Sequence, residues 1–352
     1  MPEIKEHIKR VIYLSITKKL FLVLFGLTLS LFIAEVSLRA INITRDLLKG
    51  RRVARLSDNR VLGYELKPNY QHGMYRINNH GFRGKDIDIK EGKDAFRIVA
   101  VGDSITFGSR LKEEDIYPSL LEGYLNKGEL NRHFEVINTG VGGYNIWQYL
   151  EIYKEKVRIL SPDLVIVGIC QNDFEVVGPY HVDFFGMVRG DFDAETRKGL
   201  LDNLAIYRTV SNRIKMYSLT RDEKGQDAVR TMAPSLSRKW TDGSVPLKEL
   251  VKITKEDNIP VFFVIFPYRF QIKENDSQTD EKLIEFMKDN TLFYIDLLDS
   301  FRKNSQELYV KGDYVHPNEL GHNITADLIY RFLVDNRVIE TNIDGALGDR
   351  VK

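Results

Sequence analysis

The sequence predicts an α/β fold with a parallel sheet covered on both faces, preceded by a membrane-length apolar helix and a small strand-and-turn region. Three observations carry this. Near-continuous apolar runs of strand length recur from residue 96 onward, stretches with helical spacing separate them, and one long uncharged run stands apart near the N-terminus. Uninterrupted apolar strands belong to sheets buried on both sides, and strands alternating with helices give parallel order. A chain of 352 residues, 43% hydrophobic, can bury a sizeable core in one main domain.

In chain order, residues 1–19 carry the cations Lys5, Lys9, Arg10, Lys18 and Lys19 ahead of the apolar run. LFLVLFGLTLSLFIA, from Leu20 to Ala34, carries no charge, and extension to Ile41 approaches the roughly 20 residues that cross a bilayer as helix. Glu35 and Arg39 stand one helical turn apart, so near an interface they pair and snorkel without preventing insertion. No small-x-small cleavage site follows closely, and no polar stripe marks a core helix. An uncleaved single-pass anchor over 20–41 is therefore favoured over a signal peptide or a buried helix. Arg39, Arg45, Lys49, Arg51, Arg52 and Arg55 balance the preceding cations, so the charge-bias rule selects no orientation. Residues 42–60 read as a juxtamembrane stalk. Residues 61–95 alternate aromatics with Gly, Asn and Pro, the pattern of short strands and turns, and form a β-rich collar.

The main domain is expected over 96–335. Its strands are FRIVAVG (96–102), FEVINT (134–139), DLVIVGI (163–169), IPVFFVIF (259–266) and LFYIDL (292–297). Helical patterns fall near 116–127, 146–160, 247–258, 280–290 and 318–334. Residues 174–240 break the alternation as an insertion or lid, and 336–352 form a C-terminal tail. No internal repeat is present.

Composition excludes several classes of function. Lys+Arg 51 against Asp+Glu 50 leaves a net charge of +1, so no basic field advertises nucleic acid. The single cysteine, Cys170, rules out an intrachain disulfide and any multi-cysteine metal site, and reads as core. His7, His72, His80, His133, His181, His316 and His322 include no HxxxH pair, so neither a catalytic metal nor another cofactor is expected. His322 reads as a packing or helix-surface residue.

Ligands of a parallel sheet bind beyond the carboxyl ends of its strands. Four segments lie there: Gly102-Asp103-Ser104, Gly140-Val141-Gly142-Gly143, Gln171-Asn172-Asp173, and Asp313-Tyr314-Val315-His316-Pro317 before the last helix. Each alone has an ordinary reading as a turn or helix cap. The glycine cluster lacks the third glycine of a dinucleotide fingerprint, since Asn145 stands there. Together they supply a hydroxyl, close-approach amides, a carboxamide and an acid–imidazole pair, the inventory for acyl transfer. A serine hydroxyl needs a base, histidine suits it near neutral pH, and an acid three residues earlier can fold back onto the other ring nitrogen.

In order and spacing these segments resemble the four blocks of the SGNH, or GDSL-like, hydrolase superfamily, over about residues 95–335. The resemblance implies a three-layer α/β/α sandwich with a short parallel sheet of flavodoxin-like type. It implies Ser104 as nucleophile, His316 as base and Asp313 as its orienter. The oxyanion hole would come from the amides of Ser104 and Gly143 and the side chain of Asn172. Gln171 stands where the family often has glycine, which bears on loop shape. The anchor and collar are similar to those of membrane-attached bacterial members acting on cell-surface polysaccharide. That likeness puts the catalytic domain outside the cytoplasm, periplasmic or on the cell surface, with residues 1–19 inside. The expected activity is a serine esterase releasing small acyl groups, acetyl foremost, from a cell-surface carbohydrate. An O-acetyltransferase, a lysophospholipase or thioesterase acting on lipid-like esters, and a silent carbohydrate-binding scaffold stand as alternatives. Phe174, Tyr180, Phe184 and Phe185 either wall the site or pack.

Overall fold

The computed structural model describes residues 2–49, 53–89, 95–128, 130, 132–174, 236–273, 281–304 and 306–339, with short pieces at 180–182, 188–190, 204, 206–207 and 210. The chain divides into two units, one of residues 1–51 with 193–217 and the other of 52–192 with 218–352. Phe184, Phe185, most of the 174–240 stretch and the tail beyond 339 lie outside the described residues.

The first unit is built on one helix, α1 (Pro2–Lys49). It continues past the expected boundary at 41 because no glycine or proline interrupts residues 42–49. Ile16–Ile41 has a mean hydropathy of 2.2 and is long and apolar enough to cross a membrane. Twenty-six helical residues reach about 39 Å, more than a hydrocarbon core of about 30 Å. Thr28 and Ser30 return their hydroxyls to the carbonyls of Leu24 and Gly26, which removes their need for water. Glu35 and Arg39 form the expected pair at 2.6 Å, and the Ile206 N–H donates to the second Glu35 oxygen at 2.9 Å.

The second unit opens with two small antiparallel sheets. The first pairs β1 (Ala54–Leu56) with β2 (Tyr64–Leu66), and the second pairs β3 (Gln71–His72) with β4 (Tyr75–Arg76). Next come β5 (Ala95–Val101), α2 (Ser104–Phe107), α3 (Tyr117–Lys127), β6 (His133–Asn138), α4 (Ile146–Ile152) and β7 (Leu164–Ile169). A short hairpin of β8 (Tyr180–Val182) and β9 (Val188–Gly190) follows. The chain then forms α5 (Leu236–Glu256), β10 (Val261–Ile265), α6 (Arg269–Lys273) and α7 (Glu281–Asp289). It ends with β11 (Phe293–Asp296), α8 (Leu298–Arg302) and α9 (Glu319–Asp335).

The central sheet has five parallel strands in the order β6-β5-β7-β10-β11. Its side chains alternate between two cores, as the pleat requires. Val99, Val101, Val165, Val167, Phe263 and Ile265 point to the face covered by α4, α5 and α7. Ile98, Ala100, Leu164, Ile166, Phe262 and Val264 point to the face covered by α3, α8 and α9. Three layers result. Each fully buried Phe or Val adds roughly 1.5–3 kcal/mol of transfer free energy. The chain builds to one side of β5 with β6 and then to the other with β7, so a crevice opens beyond the carboxyl ends of β5 and β7.

Two helices differ from expectation. The pattern at 146–160 is not one α-helix, because α4 passes into a π-helical turn at Tyr153–Val157 and a 3-10 turn at Arg158–Leu160. The helix expected at 247–258 begins at Leu236 and runs through Gly243 and Pro246. Gly243 lies against the Phe174 ring, where a Cβ would come within 2.4 Å, so the position requires glycine.

Candidate active site

After β5 the chain turns so closely that a Cβ on Gly102 would meet Thr106 Oγ1 at 2.0 Å, so only glycine fits. Asp103 then caps α2, its Oδ1 accepting the Ile105 N–H at 2.8 Å. Ser104 becomes the first helical residue, half-buried at the end of the sheet. Its Oγ lies 2.8 Å from His316 Nε2 and 3.2 Å from Asp103 Oδ2.

His316 sits on a loop tied to the start of α9. Val310 N–H donates to the His316 carbonyl at 3.0 Å, and Asn318 caps the helix through the Gly321 N–H. Asp313 folds back within this loop. Its Oδ1 accepts the N–H groups of Val315 and His316, and its Oδ2 lies 2.9 Å from His316 Nδ1. Burial opposes ionisation of Asp313. The hydrogen bond and charge of His316, with the two backbone N–H groups, outweigh it and hold the carboxyl well below the usual range. An ionised Asp313 accepts a hydrogen bond from Nδ1–H, which fixes the tautomer and leaves Nε2 to accept from Ser104. Arg110 also reaches Asp313 Oδ2, at 3.1 Å, from a left-handed backbone with φ 70°.

Asn172 follows β7 in a 3-10 turn. Its Oδ1 accepts from the Tyr268 hydroxyl and the Cys170 thiol, both at 2.8 Å, and its N–H donates to the Tyr268 oxygen at 3.1 Å. With the carboxamide oxygen occupied, the NH2 group is the donor Asn172 can offer a ligand. Gly142 and Gly143 are exposed in a turn beside the serine, and a Cβ on Gly142 would stand 3.8 Å from Ser104 Cβ. The structure therefore brings Ser104, His316 and Asp313 into one hydrogen-bonded chain, with Gly143 and Asn172 on loops at the same end of the sheet.

Beneath Ser104 lies a buried cluster that sequence reasoning missed. Ligand-type atoms of Asp103, Cys170 and Asp173 lie within 4.8 Å of one another. Burial first, and then the Asp103 charge, push the Asp173 carboxyl well above the carboxylate range, and the Cys170 thiol rises for the same reasons. The carboxylates are already engaged by the Ile105 and Cys170 N–H groups, so the cluster reads as structural support for the two loops. Tyr268 and Arg110 were missed as well. Tyr268 follows β10, where the same strand-end rule could have found it. Phe174 is buried against Trp240 at 5.7 Å and belongs to the core. His322 packs too, stacking on Tyr117 and accepting its N–H at 3.1 Å.

A family model described as the GDSL-like Lipase/Acylhydrolase family matches residues 100–324. No curated protein matches the chain. Among solved structures it is similar to a protein from Desulfitobacterium hafniense DCB-2 assigned to the G-D-S-L lipolytic family, at 16% identity and TM-score 0.39, over 67% of this chain and 98% of that one. It is similar to a catalytic mutant of Axe2, an acetylxylan esterase from Geobacillus stearothermophilus, at 17% identity and TM-score 0.43, over 68% and 95%. A third similar structure is TesA, at 12% identity and TM-score 0.43, over 67% and 97%. The family match spans more than half of the chain, which therefore belongs to the GDSL-like lipase/acylhydrolase family and is a hydrolase of ester bonds.

Proposed function

We propose that Ser104 is the nucleophile of an acyl-enzyme mechanism that removes small acyl groups, acetyl foremost, from a carbohydrate at the cell surface. The observation that carries the mechanism is the 2.8 Å approach of His316 Nε2 to Ser104 Oγ, with Asp313 on the other ring nitrogen. His316 takes the hydroxyl proton as Oγ bonds to the ester carbonyl carbon. The oxyanion is held by the amides of Ser104 and Gly143 and by the Asn172 side chain. Its collapse breaks the bond to the alcohol, which leaves with the proton from His316. Water repeats the sequence and frees the acid.

The loops themselves support a small acyl group. Among the described residues of 102–110, 140–144, 170–174 and 308–318, no large apolar side chain is exposed, whereas Gly142, Gly143 and Arg110 are. A long acyl chain would need an apolar wall. The lysophospholipase or thioesterase reading draws on α1, which would hold the enzyme beside lipid. Transfer to a sugar hydroxyl in place of water would use the same residues.

A chain-length series tests the proposal. The full chain in detergent should cleave p-nitrophenyl acetate faster than octanoate and release acetate from an acetylated polysaccharide. A rate rising with chain length would favour the lipid-like substrate. For topology, we place the hydrolase domain outside the cytoplasm. Alkaline phosphatase fused after Lys352 should be active, and an inactive fusion would reverse the orientation.

A further inference from the structure

Val141–Tyr144 is a turn closed by the Tyr144 N–H on the Val141 carbonyl at 3.1 Å. Gly143 has φ 81°, while Gly142 is not among the positive-φ glycines, which is the type II pattern. The type I turn uses the same two corners but rotates the central peptide, changing ψ of its second residue from about +120° to −30° and φ of its third from about +80° to −90°. That peptide consists of the Gly142 carbonyl and the Gly143 N–H. With glycine on both sides, neither form is sterically excluded. A trans peptide points its C=O and N–H in opposite directions, so the flip would turn the Gly143 N–H away from where it now points.

One side chain distinguishes the two forms. The Tyr64 hydroxyl, from strand β2, donates to the Gly142 carbonyl at 2.6 Å. Tyr64 is itself held: its backbone pairs with Leu56 in β1, its ring packs edge-on against Tyr144 at 5.2 Å, and the Tyr144 hydroxyl donates to the Tyr64 carbonyl. We infer that Tyr64 is a positioning residue that locks the Gly142–Gly143 peptide in its type II orientation and so aims the Gly143 N–H as an oxyanion donor. The collar strand thereby sets the acyl-transfer site without touching substrate. The inference rests on the proposed role of Gly143.

Losing one neutral hydrogen bond of about 1 kcal/mol shifts the turn equilibrium by about fivefold to tenfold, and complete loss of one oxyanion donor costs about 100- to 1000-fold. In the full chain with p-nitrophenyl acetate, Tyr64→Phe should lower kcat severalfold, up to the about fivefold to tenfold shift of the turn equilibrium. KM should stay within twofold, and the pH profile should not move. Ser104 labelling by a fluorophosphonate should persist, but slowly. Parent-like kcat in Tyr64→Phe overturns the inference, as does a lowered melting temperature without a kcat defect. Failure of the parent to label at Ser104 would instead sink the proposed function. Because Tyr64→Phe could fold poorly, 3,5-difluorotyrosine at position 64 keeps the contact and acidifies the phenol. A phenolate cannot donate to Gly142, so kcat should gain a falling alkaline limb absent from the parent. A profile identical to the parent's would also overturn the inference.

Discussion

Ser104 and His316 lie 212 residues apart in sequence and meet at 2.8 Å through side chains whose types the chemistry dictates. Arg83, from the chain after β4, reaches the same neighbourhood through backbone carbonyls. Arg83 is 3% exposed, and its guanidinium donates to the carbonyls of Phe107, Gly108 and Leu111, between the rings of Tyr75 and Phe107. Tyr75 accepts the Arg110 N–H at 3.0 Å. One region works through side-chain identity and the other through the backbone. A site can therefore rest on residues that leave no motif, because any sequence offers them a carbonyl.

The comparison breaks first where chemistry is removed. Ser104→Ala and His316→Ala should each cost about a millionfold in kcat, and the double variant little more, because the two act as a unit. Asp313→Asn should cost about 10⁴-fold by presenting the wrong tautomer. Near-parent turnover in either histidine or serine variant would mean that another base or nucleophile operates. On the backbone side, Arg83→Met strands three carbonyls in a buried setting and should destabilise by about 3–5 kcal/mol. Urea unfolding reads this directly, and a shift under 1 kcal/mol would reduce Arg83 to packing.

Burial, and after it the Arg83 charge, lowers the His322 pKa from 6.5 to about 3. The folded protein keeps this imidazole neutral while the unfolded chain takes a proton below 6.5. Its stability contribution is therefore complete above pH 6.5 and is lost as pH falls toward 3, at up to about 1.4 kcal/mol per pH unit. Asp313 has the same sign in a lower window, losing its contribution as pH falls below its ordinary 3.8. Urea midpoints of His322→Gln between pH 6.5 and 4 should lack one proton's worth of slope, and an unchanged slope would contradict a neutral buried imidazole. The smallest effect belongs to Arg110, whose side chain is 54% exposed. Arg110→Gln leaves Asp313 its hydrogen bonds with His316 and the Val315 N–H, and should change stability by less than about 1 kcal/mol in urea unfolding. A larger loss would make the exposed pair a structural support.

Legibility followed the same division. The five sheet strands were readable to within one or two residues because each is a mainly apolar run, interrupted at Arg97 in β5 and Glu135 in β6, bounded by polar, glycine or proline residues. The four site segments were readable because acyl transfer admits few residue types. Short helices such as α2, α6 and α8 span too few residues for periodicity to register. α5 begins at Leu236, ahead of the expected 247, and runs past Pro246 and past Gly243, which lies against the Phe174 ring. Tyr64, Tyr75 and Arg83 were unreadable in role, since their partners are peptide groups. Arg110 was hidden by a positive φ that nothing in its side chain announces.

The 212-residue separation of Ser104 and His316 also has a consequence in time. Arg83 binds the Leu111 carbonyl across only 28 residues, so the serine loop can be set early, whereas closing the longer span costs about 1.8 kcal/mol more in loop entropy. On a ribosome adding about 5–20 residues per second, Ser104 precedes His316 by roughly 10–40 s. Throughout that interval the nascent chain holds Ser104 without His316, so on the proposed mechanism the chain could not begin its chemistry until α9 docks.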